Sequence, residues 1–229
     1  MKGVETCLCV FNKAPTHYFY QAKELVMTVI SRRIIVPAQG KAEAALAQAK
    51  TLAEQATHAG TKTRLLKVIM GEDAGNLEMF VRFENFQEGV TGFQTLAASA
   101  GVNAARAQLE GGNVQSIAGP YVYRTVFGEP TAQPVLVQRQ YQISRANLQE
   151  AIAMLPDAKA AFSAGTGMTA VVPVFAPEMD RLVINYYMDS LPALGKELDE
   201  NAMSPAFQNV VAKAAKLGTL TTARVLVVV

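Results

Sequence analysis

Residues 76–89 read NLEMFVRFENFQEG, and residues 180–193 read DRLVINYYMDSLPA. At a constant offset of 105, Leu77 falls on Leu182, Met79 on Ile184, Glu84 on Asp189, Asn85 on Ser190 and Phe86 on Leu191. Each phrase alternates like a strand and then turns into the start of a helix. A chain that writes this phrase twice, with the surrounding elements in the same order over residues 29–128 and 135–229, reads as two copies of one fold unit rather than as chance similarity.

The first copy begins with TVISRRIIVPA (28–38), rich in β-branched residues and closed by a proline and a glycine, a strand pattern. Ala42, Ala45, Leu46, Ala49, Leu52, Ala53 and Ala56 then follow helical spacing, with Gly60 at the C-terminal stop. KTRLLKVIMG (62–71) reads as a second strand, EDAGN as a turn and LEMFVRFE (77–84) as a third strand. Asn85 with Glu88 has the spacing of a capping box for a helix running to Gly101. A short helix at 103–110, a glycine-rich loop at 111–119 and a strand at 121–128 complete the order β-α-β-β-α-β, the split βαβ or ferredoxin-like unit.

EPTAQP (129–134) reads as a linker. The second copy starts with a strand at 135–144 and a helix capped by Asn147 and Glu150, which Pro156 should kink or break. MTAVVPVFA (168–176) carries an internal proline and is placed at or near a sheet edge. RLVINYYM is the counterpart of 77–84, followed by a helix over 190–200. Ser204-Pro205 starts a further helix whose buried face is Phe207, Val210, Val211, Ala214 and Leu217, and ARVLVVV (223–229) is the last strand. Residues 1–28 match nothing in the repeat. Either the natural chain starts at Met27, or these residues are an extension that packs on the domain or on a partner subunit.

Alternation sorts the strand faces. Leu77, Met79, Val81 and Phe83 make one apolar face, as do Leu182, Ile184, Tyr186 and Met188, and these suit packing under helices. The opposite faces carry Glu78, Phe80, Arg82 and Glu84, and Val183, Asn185 and Tyr187. They are too apolar to leave in water and too polar for a dry core, so the economical arrangement turns the two open faces toward each other, with helices outside.

On this element order and duplicated phrase the chain resembles the dimeric α+β barrel superfamily, in a tandem, single-chain form spanning residues 29–229. The resemblance implies an α+β fold of two ferredoxin-like repeats whose antiparallel sheets form one barrel. It also implies ligands held between sheet and helices or inside the barrel. The activities it brings to mind range from cofactor-independent monooxygenases on aromatic polyketides to haem enzymes, small lyases and isomerases. No motif here selects among them.

Other chemistry is excluded or weakly signalled. The net charge is +2, and the densest basic stretches, Arg32-Arg33 and Lys62-Arg64-Lys67, are short and read as solvated surface, not a nucleic-acid face. No apolar run reaches the ~18–20 residues of a membrane span. The two cysteines, Cys7 and Cys9, are too close in sequence for a disulfide framework, which points to a reducing cytoplasm. With His17 they would make a poor zinc set. His58 reads as a solvated residue near a helix end, and neither histidine has the context of a haem ligand, so no cofactor is expected. Phe80, Arg82, Tyr123, Asn185 and Tyr187 are the candidate ligand-binding residues, aromatics with a few convergent polar groups. They would take a small aromatic or acidic organic ligand, with Arg82 holding the negative charge and a tyrosine orienting the ligand or transferring a proton. Alternatively they form a satisfied polar layer in a non-catalytic assembly protein, with Arg82 paired to Glu78 or Glu84. Sheet edges and helices left by the fused pair could also join two copies into a homodimer.

Overall fold

The computed structural model describes residues 28–229. The readings of Cys7, Cys9, His17, Met27 and the rest of the N-terminal stretch lie outside the described residues. Among the described residues, eight antiparallel strands close into one barrel. They are β1 (Val29–Pro37), β2 (Lys62–Gly71), β3 (Leu77–Phe83), β4 (Val114–Phe127), β5 (Val135–Ile143), β6 (Gly167–Phe175), β7 (Arg181–Met188) and β8 (Gly218–Val228). Around the barrel the order is β1-β3-β2-β8-β5-β7-β6-β4. Within residues 29–127 this is fourth, first, third, second; within 135–228 it is again fourth, first, third, second. The halves join at two seams, β2 with β8 and β4 with β6. Closure leaves no unpaired edge among these eight strands.

The apolar strand faces lie outward under helices, as alternation requires. In the first half α1 (Ala42–His58), α2 (Phe86–Ala98) and α3 (Ala100–Leu109) cover Leu77, Met79, Val81 and Phe83. The small residues Ala45, Ala49 and Ala56 are fully buried on α1 and let it lie close to the sheet. In the second half Leu182, Ile184, Tyr186 and Met188 pack beneath α4 (Leu148–Ala153), α5 (Leu155–Ala160), α6 (Leu191–Glu197) and α7 (Pro205–Ala214). Each buried Leu, Ile, Phe or Met side chain contributes roughly 1.5–3 kcal/mol, so these two outer layers hold the fold together.

Several boundaries differ from the sequence reading. Ser99 ends α2 and caps α3 through its side chain at the Val102 amide, so the helix expected to reach Gly101 is two helices. The loop expected at 111–119 is largely strand: Val114, Ser116, Ile117 and Ala118 pair with β1, across a register shift. Pro173 is not on a sheet edge. It sits at an irregularity of the β4–β6 seam, beyond Val171, where β6 stops pairing with β7, so its missing N–H leaves no ladder bond broken. Asn147 does not cap α4 with its side chain; its amide donates instead to the Leu217 carbonyl. On α7 only Phe207 is buried, and Val211 is exposed. Half of the Asn85–Glu88 box is present: Asn85 Oδ1 accepts from the Glu88 amide, but Glu88 Oε2 accepts from the amide of Glu84 in place of that of Asn85.

Candidate functional site

The inward faces build an interior with a polar partition across it. Arg32 of β1 and Arg224 of β8 converge on Glu78 of β3, whose carboxylate is fully buried. Arg32 Nε donates to Glu78 Oε2 at 2.8 Å, and Arg224 Nη2 lies 2.8 Å from Oε1. Arg224 also donates to Asp73 and, through Nε and Nη2, to Gln138 Oε1 at 3.1 and 2.6 Å. Burial opposes the charge on Arg32, but Glu78, helped by Tyr123, outweighs it and holds the guanidinium above its ordinary pKa. On Arg224 burial wins, and the pKa is lowered.

Two chambers flank this partition. The one at the β6–β7 and β2–β3 turns is polar, about 420 Å3, and is lined by Asp73, Glu72, Glu178, Arg181 and Thr222. The other, about 500 Å3, opens where β2 begins and β3 ends, and its wall is mostly apolar: Ile30, Leu66, Phe80, Leu136, Val171 and Val183. Closed barrels of eight strands are wide enough to hold one small ligand.

Phe80, Arg82, Tyr123, Asn185 and Tyr187 all line the apolar chamber. Arg82 does not pair with Glu78, which Arg32 and Arg224 already occupy. It pairs instead with Glu84, the other expected partner, through Nη2 at 3.6 Å, while its buried Nε has no hydrogen-bond partner among the described residues. The Tyr187 hydroxyl lies 3.1 Å from Thr169 Oγ1, which accepts from Asn185 Nδ2 at 3.4 Å; Gln138 Nε2 donates to Asn185 Oδ1 at 3.1 Å. Burial raises the Tyr187 pKa, although Thr169, Arg64, Arg82 and Asn185 pull the other way. The phenol is therefore protonated at neutral pH.

Three contributors escaped the sequence reading. Arg32 and Arg64 lie in short basic stretches that read as solvated surface, but Arg32 is buried in the partition and Arg64 lines the apolar chamber. Alternation along KTRLLKVIMG places Lys62, Arg64 and Leu66 on one face, and that face turned inward was the available signal. The linker is also more than a connection. Arg64 donates to the carbonyls of Thr131 at 2.5 Å and Gln133 at 2.7 Å, and Pro130, Thr131 and Ala132 form part of the chamber's rim. Burial lowers the Arg64 pKa, with Tyr187 acting against that shift. Lys62, at the same rim, is bonded to Glu84 at 2.5 Å.

The chain has an α+β barrel fold. The solved structure of a proposed monooxygenase from Lactobacillus acidophilus superposes with a TM-score of 0.60 at 8% identity, covering 88% of this chain and 94% of that one. An anthrone oxidase-like protein superposes with a TM-score of 0.62 at 12% identity, covering 90% and 92%. A proposed chlorite dismutase does so with a TM-score of 0.55 at 8% identity, covering 90% and 96%. The sequence matches no protein-family model and no curated protein.

The α+β barrel has a further cavity outside its sheet. Between the second half's strands and α4, α5 and α7 lies a gap of about 320 Å3, lined by Arg139, Tyr141, Tyr186, Phe207 and apolar side chains. Arg139 stacks over Phe207, and its buried Nε finds no partner among the described residues. The matching gap in the first half, beside Arg33 and Arg106, holds only about 20 Å3. Arg33 faces Met79 across the ladder just as Arg139 faces Ile184. Among the described residues no cluster of His, Cys, Asp or Glu is placed to hold a metal ion, and no helix is long and apolar enough to cross a membrane. His58 lies exposed at the end of α1.

Proposed function

We propose that this chain is a small-molecule-binding, enzyme-like α+β barrel protein made of two fused ferredoxin-like repeats, residues 29–128 and 135–229, joined by 129–134. Its ligand is a small acidic aromatic molecule held in the apolar chamber. One observation carries the reading: on the wall of a 500 Å3, mostly apolar chamber, Arg82 presents a buried Nε with no partner among the described residues. A buried guanidinium donor without an acceptor is unfavourable by roughly 1–3 kcal/mol, and an anionic ligand would remove that penalty. Arg64 and Lys62 add positive charge at the rim, and Phe80, Tyr123 and the aliphatic wall supply surface for a flat ring.

An aromatic ligand is supported by the name of one structural neighbour, the anthrone oxidase-like protein. In this reading Arg82 and Arg64 bind the anion, the wall excludes water, and Tyr187 orients the ligand or exchanges a proton at its hydroxyl. Among the described residues the chamber lining holds no histidine or cysteine to ligate a haem, so no step is assigned to one. The duplication is supported by the repeated phrase and by the equal strand order of the halves. A reducing cytoplasm and pairing of two copies complete the proposal.

A second reading places the ligand in the sheet–helix gap, and the unpartnered Nε of Arg139 favours it. Thermal-shift screening of acidic and neutral aromatic compounds against the wild-type, Arg82→Gln and Arg139→Gln chains separates the two. The proposal requires stabilisation by acidic compounds that Arg82→Gln removes and Arg139→Gln leaves; the reverse pattern moves the ligand to the gap.

A further inference from the structure

The hydrogen bonds behind Tyr187 have a direction, and it starts at a residue that can only donate. Arg224 has no acceptor atom, so Gln138 Oε1, 2.6 Å from its Nη2, is an acceptor. That fixes the Gln138 amide, leaving its Nε2 to donate to Asn185 Oδ1. The Asn185 amide is fixed in turn, and its Nδ2 donates to Thr169 Oγ1. Thr169 is fully buried, and among the described residues the Tyr187 hydroxyl is the remaining side-chain partner within reach of its proton. If Tyr187 donated to Thr169 instead, the Thr169 O–H would be buried and unsatisfied, an unfavourable state by roughly 1–3 kcal/mol. The satisfied arrangement has Thr169 donating to the Tyr187 oxygen, which releases the phenolic proton toward the chamber.

We infer that the chain Arg224–Gln138–Asn185–Thr169 fixes Tyr187 as a hydrogen-bond donor into the apolar chamber, and that the chamber therefore selects anionic aromatic ligands carrying a second, uncharged acceptor oxygen, such as a ring ketone. This deepens the proposed function and rests on it. Arg82 and Arg64 take the acidic group, and the Tyr187 proton takes the carbonyl. Gln138, Asn185 and Thr169 are positioning residues, since they act through Tyr187. A hydroxyl placed at the same point could accept this bond, but its own proton would face the apolar wall. Ketone is therefore preferred to alcohol as well as to hydrocarbon.

The test compares two benzoates of similar shape, acetylbenzoate with its carbonyl and isopropylbenzoate without one, by calorimetric titration of the whole chain. The expected result is that acetylbenzoate binds about tenfold or more tightly, the ratio for one well-made buried hydrogen bond. The preference disappears in Tyr187→Phe. It falls in Thr169→Val and returns in Thr169→Ser, which separates orientation of the phenol from mere packing. Equal affinities in the wild-type chain, or a preference that survives Tyr187→Phe, overturn the inference while leaving the acidic-aromatic reading standing. If neither benzoate binds, that reading fails and takes the inference with it.

Discussion

Arg32 and Glu78 clasp each other inside the barrel from neighbouring strands, Nε to Oε2 at 2.8 Å and Nη2 to Oε1 at 2.5 Å, with the carboxylate fully buried. Arg224 approaches the same carboxylate from β8, so one acid of the first half ties a strand of the second half across the interior. Glu78→Gln would leave buried Arg32 without its anion and buried Arg224 with Asp73 alone. Removing one partner of a buried ion pair destabilises by roughly 3–5 kcal/mol, and the loss should appear as a lower urea midpoint. Lys62→Gln breaks an exposed pair with Glu84 and should shift stability by no more than about 1 kcal/mol.

Both seams of the barrel carry a glycine in the left-handed region. Gly71 has φ +87°, and a Cβ there would strike the Ala223 carbonyl; Gly128 has φ +63°, and a Cβ there would strike the Met168 carbonyl. Gly71→Ala and Gly128→Ala should each destabilise by at least about 1–3 kcal/mol, from the strained backbone and the collision together. Gly75 also has a positive φ but open space around it, so Gly75→Ala should be affected less than either seam variant. Thermal unfolding of the three variants checks that ranking.

Much of this architecture can be read along the chain, because alternation assigns strand faces wherever one face must be buried. Leu77–Phe83 and Leu182–Met188 are the clearest instances: their apolar positions lie under helices and their mixed positions line the interior. Short-range signals failed where tertiary pairing overrode them. Val114–Ala118 looks like loop because of its glycine neighbours, but β1 offers it a ladder. Arg32 and Arg64 look like surface because a charged residue in isolation prefers water; the acid and carbonyls that hold them come from residues 46 and 67 or more positions away. Pairings at that distance leave no local pattern. The gap beside Arg139 was equally illegible, since its size depends on how the helices lie over the sheet.

Tyr186 and Tyr187 are both buried, and burial raises both phenols above their ordinary pKa; Tyr141 adds to the rise at Tyr186. A raised folded pKa means that the native state holds the proton more tightly. Stability from these groups is therefore fully present below the unfolded phenol pKa of about 10 and falls as pH rises from there through the folded values. Unfolding free energy measured across the alkaline range should decline more steeply for the wild-type chain than for Tyr186→Phe or Tyr187→Phe. Absorbance titration should show phenols that resist ionisation until the chain unfolds.

Calorimetric titration with naphthoate, run in parallel on the wild-type and Arg82→Gln chains, tests the central claim most directly. The account predicts saturable binding at one site per chain in the wild type. It predicts at least about a tenfold loss in Arg82→Gln, the effect of removing a charge-assisted hydrogen bond. Naphthoate binding of equal affinity in the two chains, or none in the wild type, would contradict it.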